Sequence, residues 1–162
     1  MKFYFLFLLT LLSLAISSQI NLELKVEETK NWSLIERQKL NSADNYFSNQ
    51  EYLFARLVYD SLYKKHKSNI YIGYLLGSCS IFDPHYQSNS ESLIKAASSI
   101  KSKLLDYDYF LGRAYLVNDK FNEAIAQFEA YKLNPLDKDT KAEVEHQLDI
   151  CKIGRASCRE RV

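Results

Sequence analysis

The stretch YFLGRAYLVNDKFNEAIAQFEAYKLNP, Tyr109 to Pro135, decides how the rest of the chain is read. Tyr109, Leu111, Gly112 and Tyr115 recur at helical spacing, and Asn118-Asp119 then supplies turn residues. Beyond that turn, Phe121, Ala124, Ile125 and Phe128 fall at i, i+3, i+4 and i+7, the apolar stripe of a second amphipathic helix. Asn134-Pro135 stops it, because a proline lacks the N–H that would continue the ladder and biases the residue before it away from the α region. The stretch therefore reads as two short helices folded back on each other.

Working outward, the same pattern recurs upstream. Ala43, Gly77 and Gly112 lie in steps of 34 and 35. The same steps relate Tyr52, Tyr86 and Phe121; Ala55, Asn89 and Ala124; Tyr59, Leu93 and Phe128; and Leu62, Ala96 and Tyr131. The one extra residue is expected between the second and third units, near Ser98 to Leu105. A period of 34 is that of the tetratricopeptide (TPR) helix-turn-helix. Small residues let the two helices of a hairpin approach closely, and the bulky column fills the space between hairpins. No hairpin can bury its apolar face alone, so stacking must supply the core.

The expected fold is thus all-α: a short right-handed solenoid of three units, about 36–69, 70–104 and 105–136, closed by a capping helix over 138–152. Unit one pairs Leu40 to Phe47 with Tyr52 to Tyr63, and in unit two Asp83-Pro84 has the cap-then-proline layout of a helix start. Asp137 or Asp139 can cap the last helix, with Val144, Leu148 and Cys151 on one face and Lys141, Glu143, Glu145 and Asp149 on the other. Residues 19–34 show no clear period and read as an irregular lead-in. Asn89 departs from its small apolar column, and units one and two lack a terminal proline.

Both ends read differently from the middle. Met1-Lys2 followed by an apolar run from Phe3 to Ile16, then Ala15, Ser17 and Ser18, has the layout of a secretory signal peptide over 1–18. The run is short of the ~20 residues a membrane span needs, which disfavours an uncleaved anchor, and no cysteine follows it to suggest lipoprotein processing. Ile153 to Val162, IGRASCRERV, resembles one reading frame of a common sequencing adapter, which implies a non-native tail and a natural protein that continues past about Lys152. Setting the tail aside leaves Cys79 and Cys151. Cys79 falls in an apolar helical stretch and reads as a small hydrophobe rather than half of a bridge.

Composition narrows the function classes. With 47% hydrophobic and 25% charged residues the chain is an ordinary globular one, and a net charge of +1 favours neither nucleic acid nor anionic lipid as partner. His66, His85 and His146 are scattered, away from any nucleophile motif, and read as surface or turn histidines. Ser78-Cys79-Ser80 lies mid-helix without the glycines of a nucleophile elbow, and no Cys/His cluster has metal-ligand spacing. The expectation is a protein that is not an enzyme, with no cofactor and no metal.

Tyr109 to Pro135, together with YIGYLLGSCSI (Tyr71 to Ile81) and VEHQLDICK (Val144 to Lys152), resembles the TPR block at the front of a Bacteroidota family of OmpA-like outer-membrane proteins. Members run from a signal peptide through TPR units and β-propeller-like repeats to a peptidoglycan-binding OmpA-like domain, and some are similar to the cell-wall-anchoring component of type IX secretion. The resemblance implies an exported, periplasmic, outer-membrane-associated scaffold with no direct membrane insertion after signal cleavage. It also implies contact with peptidoglycan only through a domain that this chain lacks. The alternative is a sensor or carrier TPR domain fused to a downstream enzyme. In either case the working surface is the concave groove, where the repeat register places Asp44, Phe47, Tyr71, Tyr74, Ser78, Asp106, Tyr109 and Arg113. Tyrosine and arginine suit an interface because they combine large area with directional hydrogen bonds, and the expected ligand is an extended peptide or partner helix. For Tyr74 and Tyr109, packing against the neighbouring repeat is the other reading.

Overall fold

The structure is a computed structural model that describes residues 23–104 and 106–159. The expected signal peptide and the last three residues of the tail lie outside the described residues. Helix α1 covers 23–29. There follow α2 (Leu34–Ser48), α3 (Tyr52–Lys65), α4 (Ile70–Ser80), α5 (Ser90–Ala96), α6 (Tyr107–Val117), α7 (Phe121–Tyr131) and α8 (Lys138–Arg159), with 3-10 turns at Gln87–Asn89 and Ala97–Lys103. The fold is all-α, with no strand among the described residues.

Each helix from α2 onward packs chiefly on its neighbours in sequence: α2 on α3, α3 on α4, α4 on α5, α6 on α7, and α7 on α8. The apolar columns supply the seam. Leu40, Ala43, Ala55 and Tyr59 are fully buried in the first hairpin, and Ala124 and Phe128 in the third. A bulky side chain removed from water in this way contributes about 1.5–3 kcal/mol. The small column acts as expected. A Cβ placed on Gly112 would stand 2.9 Å from the Phe128 ring, closer than real contacts allow.

The bends of the first and third hairpins share their backbone conformation and their closing bond. Gln50 and Asp119, equivalent in the repeat, both adopt the left-handed conformation, at φ 62 and 58. The next residue closes back across the helix end in each case, Glu51 N–H to the Tyr46 carbonyl and Lys120 N–H to the Tyr115 carbonyl. That long-range closure beyond a left-handed residue is the Schellman way of satisfying orphan carbonyls.

The second hairpin cannot make this bend. Its equivalent position is Pro84, whose ring locks φ near −65°. Asp83-Pro84 therefore opens a turn rather than a helix, correcting the reading from sequence. The Asp83 side chain accepts from the His85 N–H, and a 3-10 turn at Gln87–Asn89 precedes α5. The detour consumes the extra residue here and not near Ser98 to Leu105. As a result the buried positions of α5 are Ser90, Ile94 and Ala97, while Asn89 and Ala96 are exposed and Leu93 is half-buried. Ser90, Ile94 and Ala97 stand where Ala55, Tyr59 and Leu62 stand in the first hairpin. Arg56 of α3 holds the longer loop: its Nε lies 2.9 Å from Asp83 Oδ2, with both side chains largely buried, and its guanidinium sits 3.9 Å above the Tyr86 ring.

Helix α4 is central, with every residue from Tyr71 to Ser80 buried. Cys79 is free and fully buried there, and Cys151 is free and fully buried in the separate cluster around Phe128 and Val144. Tyr109 and Tyr115 pack against both clusters and join them.

Two expectations at the ends need correction. The lead-in is not wholly irregular, since 23–29 is helical and buries Leu24, while Trp32 just beyond is also buried. A helix this short with one inward apolar residue leaves no period to read. Its stability comes from tertiary contacts: Asn69 donates to the Glu28 carbonyl, and Lys25 reaches α2. At the other end, Asp137 caps α8 by accepting from the Asp139 and Thr140 amides, and Val144, Leu148 and Cys151 are fully buried. The helix passes Lys152 and runs to Arg159, because no proline interrupts the ladder.

Candidate protein-binding groove

The first helices of the three hairpins enclose one pocket of about 210 Å3. Helix α2 contributes Asp44, Phe47 and Ser48; α4 contributes Tyr71, Tyr74 and Leu75. Both sets follow i, i+3, i+4 spacing, so each is one face of one helix. Asp106 and Phe110, four residues apart, come from the start of α6, and Tyr59 reaches in from α3.

The walls are aromatic. Phe110 lies 5.7 Å from Phe47 and 6.3 Å edge-to-face from Tyr74, and Phe47 lies 6.4 Å edge-to-face from Tyr59. The tyrosine hydroxyls are held neutral: burial, first of all, pushes Tyr59, Tyr71 and Tyr74 well above the usual phenol range. They act as hydrogen-bonding groups rather than as bases.

Two carboxylates line the same space. Asp44 accepts from the Tyr59 hydroxyl at 2.8 Å through Oδ1 and pairs with Lys25 through Oδ2. Lys25 also donates to Asn41. Asp106 accepts from the Tyr131 hydroxyl at 2.6 Å and makes no ion pair among the described residues. Burial raises its carboxyl above the usual range, partly countered by that hydrogen bond. Its backbone is left-handed at φ 56, a conformation aspartate tolerates better than most residues.

Of the eight groove residues expected from sequence, Asp44, Phe47, Tyr71, Tyr74 and Asp106 meet here. Ser78 does not. It is fully buried, and its hydroxyl donates back to the Tyr74 carbonyl, because α4 is enclosed on the face one turn away. Tyr74 is both pocket wall and core, 3% exposed, so its truncation would damage the fold.

Tyr109 and Arg113 lie off the pocket. Arg113 donates to the Tyr109 hydroxyl at 3.0 Å, stands 5.1 Å from the centre of the Phe82 ring, and faces Glu143 of α8 at 3.6 Å. The pair ties α6 to the last helix. Sequence reasoning missed Phe110, Tyr59, Leu75 and Ser48. The spacing of Asp106 and Phe110 was the signal for the first, since one residue's step around a helix separates the Phe110 face from the Tyr109 face.

A second cluster lies at the other end of the first hairpin. His66 stacks on Trp32 at 4.2 Å and sits 3.2 Å from Glu36. Glu36 closes a capping box with Ser33, whose hydroxyl donates to the carboxylate. That bond, then the Ser33 amide and His66, hold the Glu36 carboxyl down at about 2. His66 is thus a turn histidine with a structural task.

No group of three or more His, Cys, Asp or Glu side chains is arranged to hold a metal among the described residues. No described helix is long and apolar enough to cross a membrane. No model of a known protein family matches the sequence, and no curated protein is significantly similar to it.

Proposed function

We propose that the chain is a TPR-type right-handed solenoid serving as a protein–protein interaction scaffold in the bacterial periplasm. It stands at the front of a longer OmpA-like envelope protein concerned with type IX secretion or envelope assembly. The observation that carries this reading is the pocket to which three successive first helices each present a face, as the concave side of such a solenoid would. Packing of each helix on its sequence neighbours, and the shared bends at Gln50 and Asp119, support the repeat architecture. The mechanism is display of a preformed groove to an extended peptide or helix of an envelope protein, without chemistry. Contact with peptidoglycan belongs to a domain outside this chain.

The test is cross-linking in periplasm, comparing the native chain with a Ser48→Arg variant. Ser48 is exposed at the pocket rim, so the new side chain blocks the groove without entering the core. The expected result is an unchanged melting temperature and loss of the envelope partner captured by the native chain. Equal capture by the variant would remove the groove from the account. The downstream reading frame separates the alternatives: propeller and OmpA-like repeats accord with this proposal, whereas a catalytic motif set would make the domain an enzyme's sensor or carrier.

A further inference from the structure

We infer that the pocket between α2, α4 and α6 receives the ammonium group of a lysine side chain presented by the partner polypeptide. This inference rests on the reading of the groove as a peptide-binding surface and names the chemistry that it selects.

Size comes first. A volume of about 210 Å3 falls below the range of roughly 300–1,000 Å3 typical of small-molecule and cofactor sites. The pocket is sized for a side chain, not for a free metabolite.

Charge then chooses among side chains. The wall carries two carboxylates, Asp44 and Asp106, and among the described residues only Asp44 has a cation beside it. A seated ligand strips water from Asp106. An apolar side chain would leave that carboxylate desolvated without a counter-charge, and an acidic one would add repulsion; both are disfavoured. A cation removes the penalty. The aromatic side chains of Phe47, Phe110 and Tyr74 line the same space, a composition suited to the apolar stem of a lysine and its ammonium.

The form of the carboxylates distinguishes lysine from arginine. A guanidinium gains most when it meets both oxygens of one carboxylate. Neither carboxylate offers both oxygens uncommitted, so a fork would have to share an oxygen that already accepts a hydrogen bond. Asp44 Oδ1 holds the Tyr59 hydroxyl and Oδ2 holds Lys25, while Asp106 Oδ1 holds the Tyr131 hydroxyl. What remains suits a point charge. The chain itself supplies the precedent, since Lys25 already places an ammonium on Asp44.

The probe is an end-blocked octapeptide of serine and alanine with one central lysine, titrated into the isotopically labelled chain and followed by NMR. Analogues carry norleucine or arginine in place of the lysine. The lysine peptide should shift resonances of Tyr71, Tyr74 and Phe110, with the norleucine peptide binding about tenfold more weakly and arginine falling between. Asp106→Asn keeps the left-handed backbone and the Tyr131 contact, so it should preserve the melting temperature and abolish the lysine preference. Lys25→Ala frees an oxygen of Asp44 and should tighten lysine binding. Equal affinity for lysine and norleucine peptides, or a lysine preference that survives Asp106→Asn, would overturn the inference while leaving the groove reading intact. No shift with any peptide at millimolar concentration overturns it as well; partner capture insensitive to Ser48→Arg would then show that the groove reading itself had failed.

Discussion

The carbonyl oxygen of Ser90 lies 3.1 Å from where a Cβ on Gly77 would stand, with Leu93 Cβ at 2.9 Å. At this crossing α4 and α5 touch backbone to backbone. Gly77→Ala therefore meets atoms that cannot swing away, and should destabilise by about 1–3 kcal/mol despite the better helix propensity of alanine. Gly73→Ala on the same helix meets only the Tyr63 ring at 3.2 Å and should be near neutral. Urea denaturation of the two variants checks the contrast; equal effects would show that the crossing is looser than described.

The left-handed bend residues predict gains rather than losses. Gln50 carries the strain of a non-glycine residue at φ 62. Gln50→Gly should stabilise by about 0.5–1 kcal/mol, the relieved strain being partly offset by greater freedom of the unfolded chain. Asp119→Gly should gain less, since aspartate tolerates this conformation. Thermal melts of both variants decide, and a loss at Gln50 would contradict the shared-bend account.

Arg56 and Asp83 form an ion pair with side chains only 8% and 12% exposed. Removing one partner leaves a buried charge without compensation, so Arg56→Ala should cost about 3–5 kcal/mol. The double variant with Asp83→Ala should fall short of additivity by at least about 1 kcal/mol. Additive losses in a double-mutant cycle would mean that the longer loop is held by something else.

Acid should loosen the start of the first hairpin. The Glu36 carboxyl, held at about 2 against its ordinary 4.5, contributes stability that is complete above about pH 4.5 and lost as pH falls through about 2. Trp32, the chain's one tryptophan, stacks on the neighbouring His66 and reports the change by fluorescence. Glu36→Gln should flatten the pH dependence of unfolding between those values. An unchanged profile would place the acid sensitivity elsewhere.

Periodicity and columns carried most of the fold. Val144, Leu148 and Cys151 were legible because a solvent-exposed end helix has one buried stripe, and Ala43, Gly77 and Gly112 because close helix approach admits few residue types. What escaped was conformational or long-range. Pro84 at the left-handed position already forbade the common bend, yet the repeat register was carried straight across it. Helix α1 had too few inward residues to show a period. Arg56 with Asp83, and Lys25 with Asp44, are partnerships across the fold that no local spacing announces. On α6, Phe110 lines the pocket while Tyr109 and Arg113 stand on other faces of the helix, a rotation about its axis that spacing alone did not fix.

The matched bends also bear on how such an array lengthens. A copied segment spanning α2 and α3, or α6 and α7, carries its own complete corner and joins a neighbour in phase. The middle hairpin is not self-contained in this way: its longer Pro84 corner is held by Arg56 of the preceding helix, so a copy of it would need α3 as well.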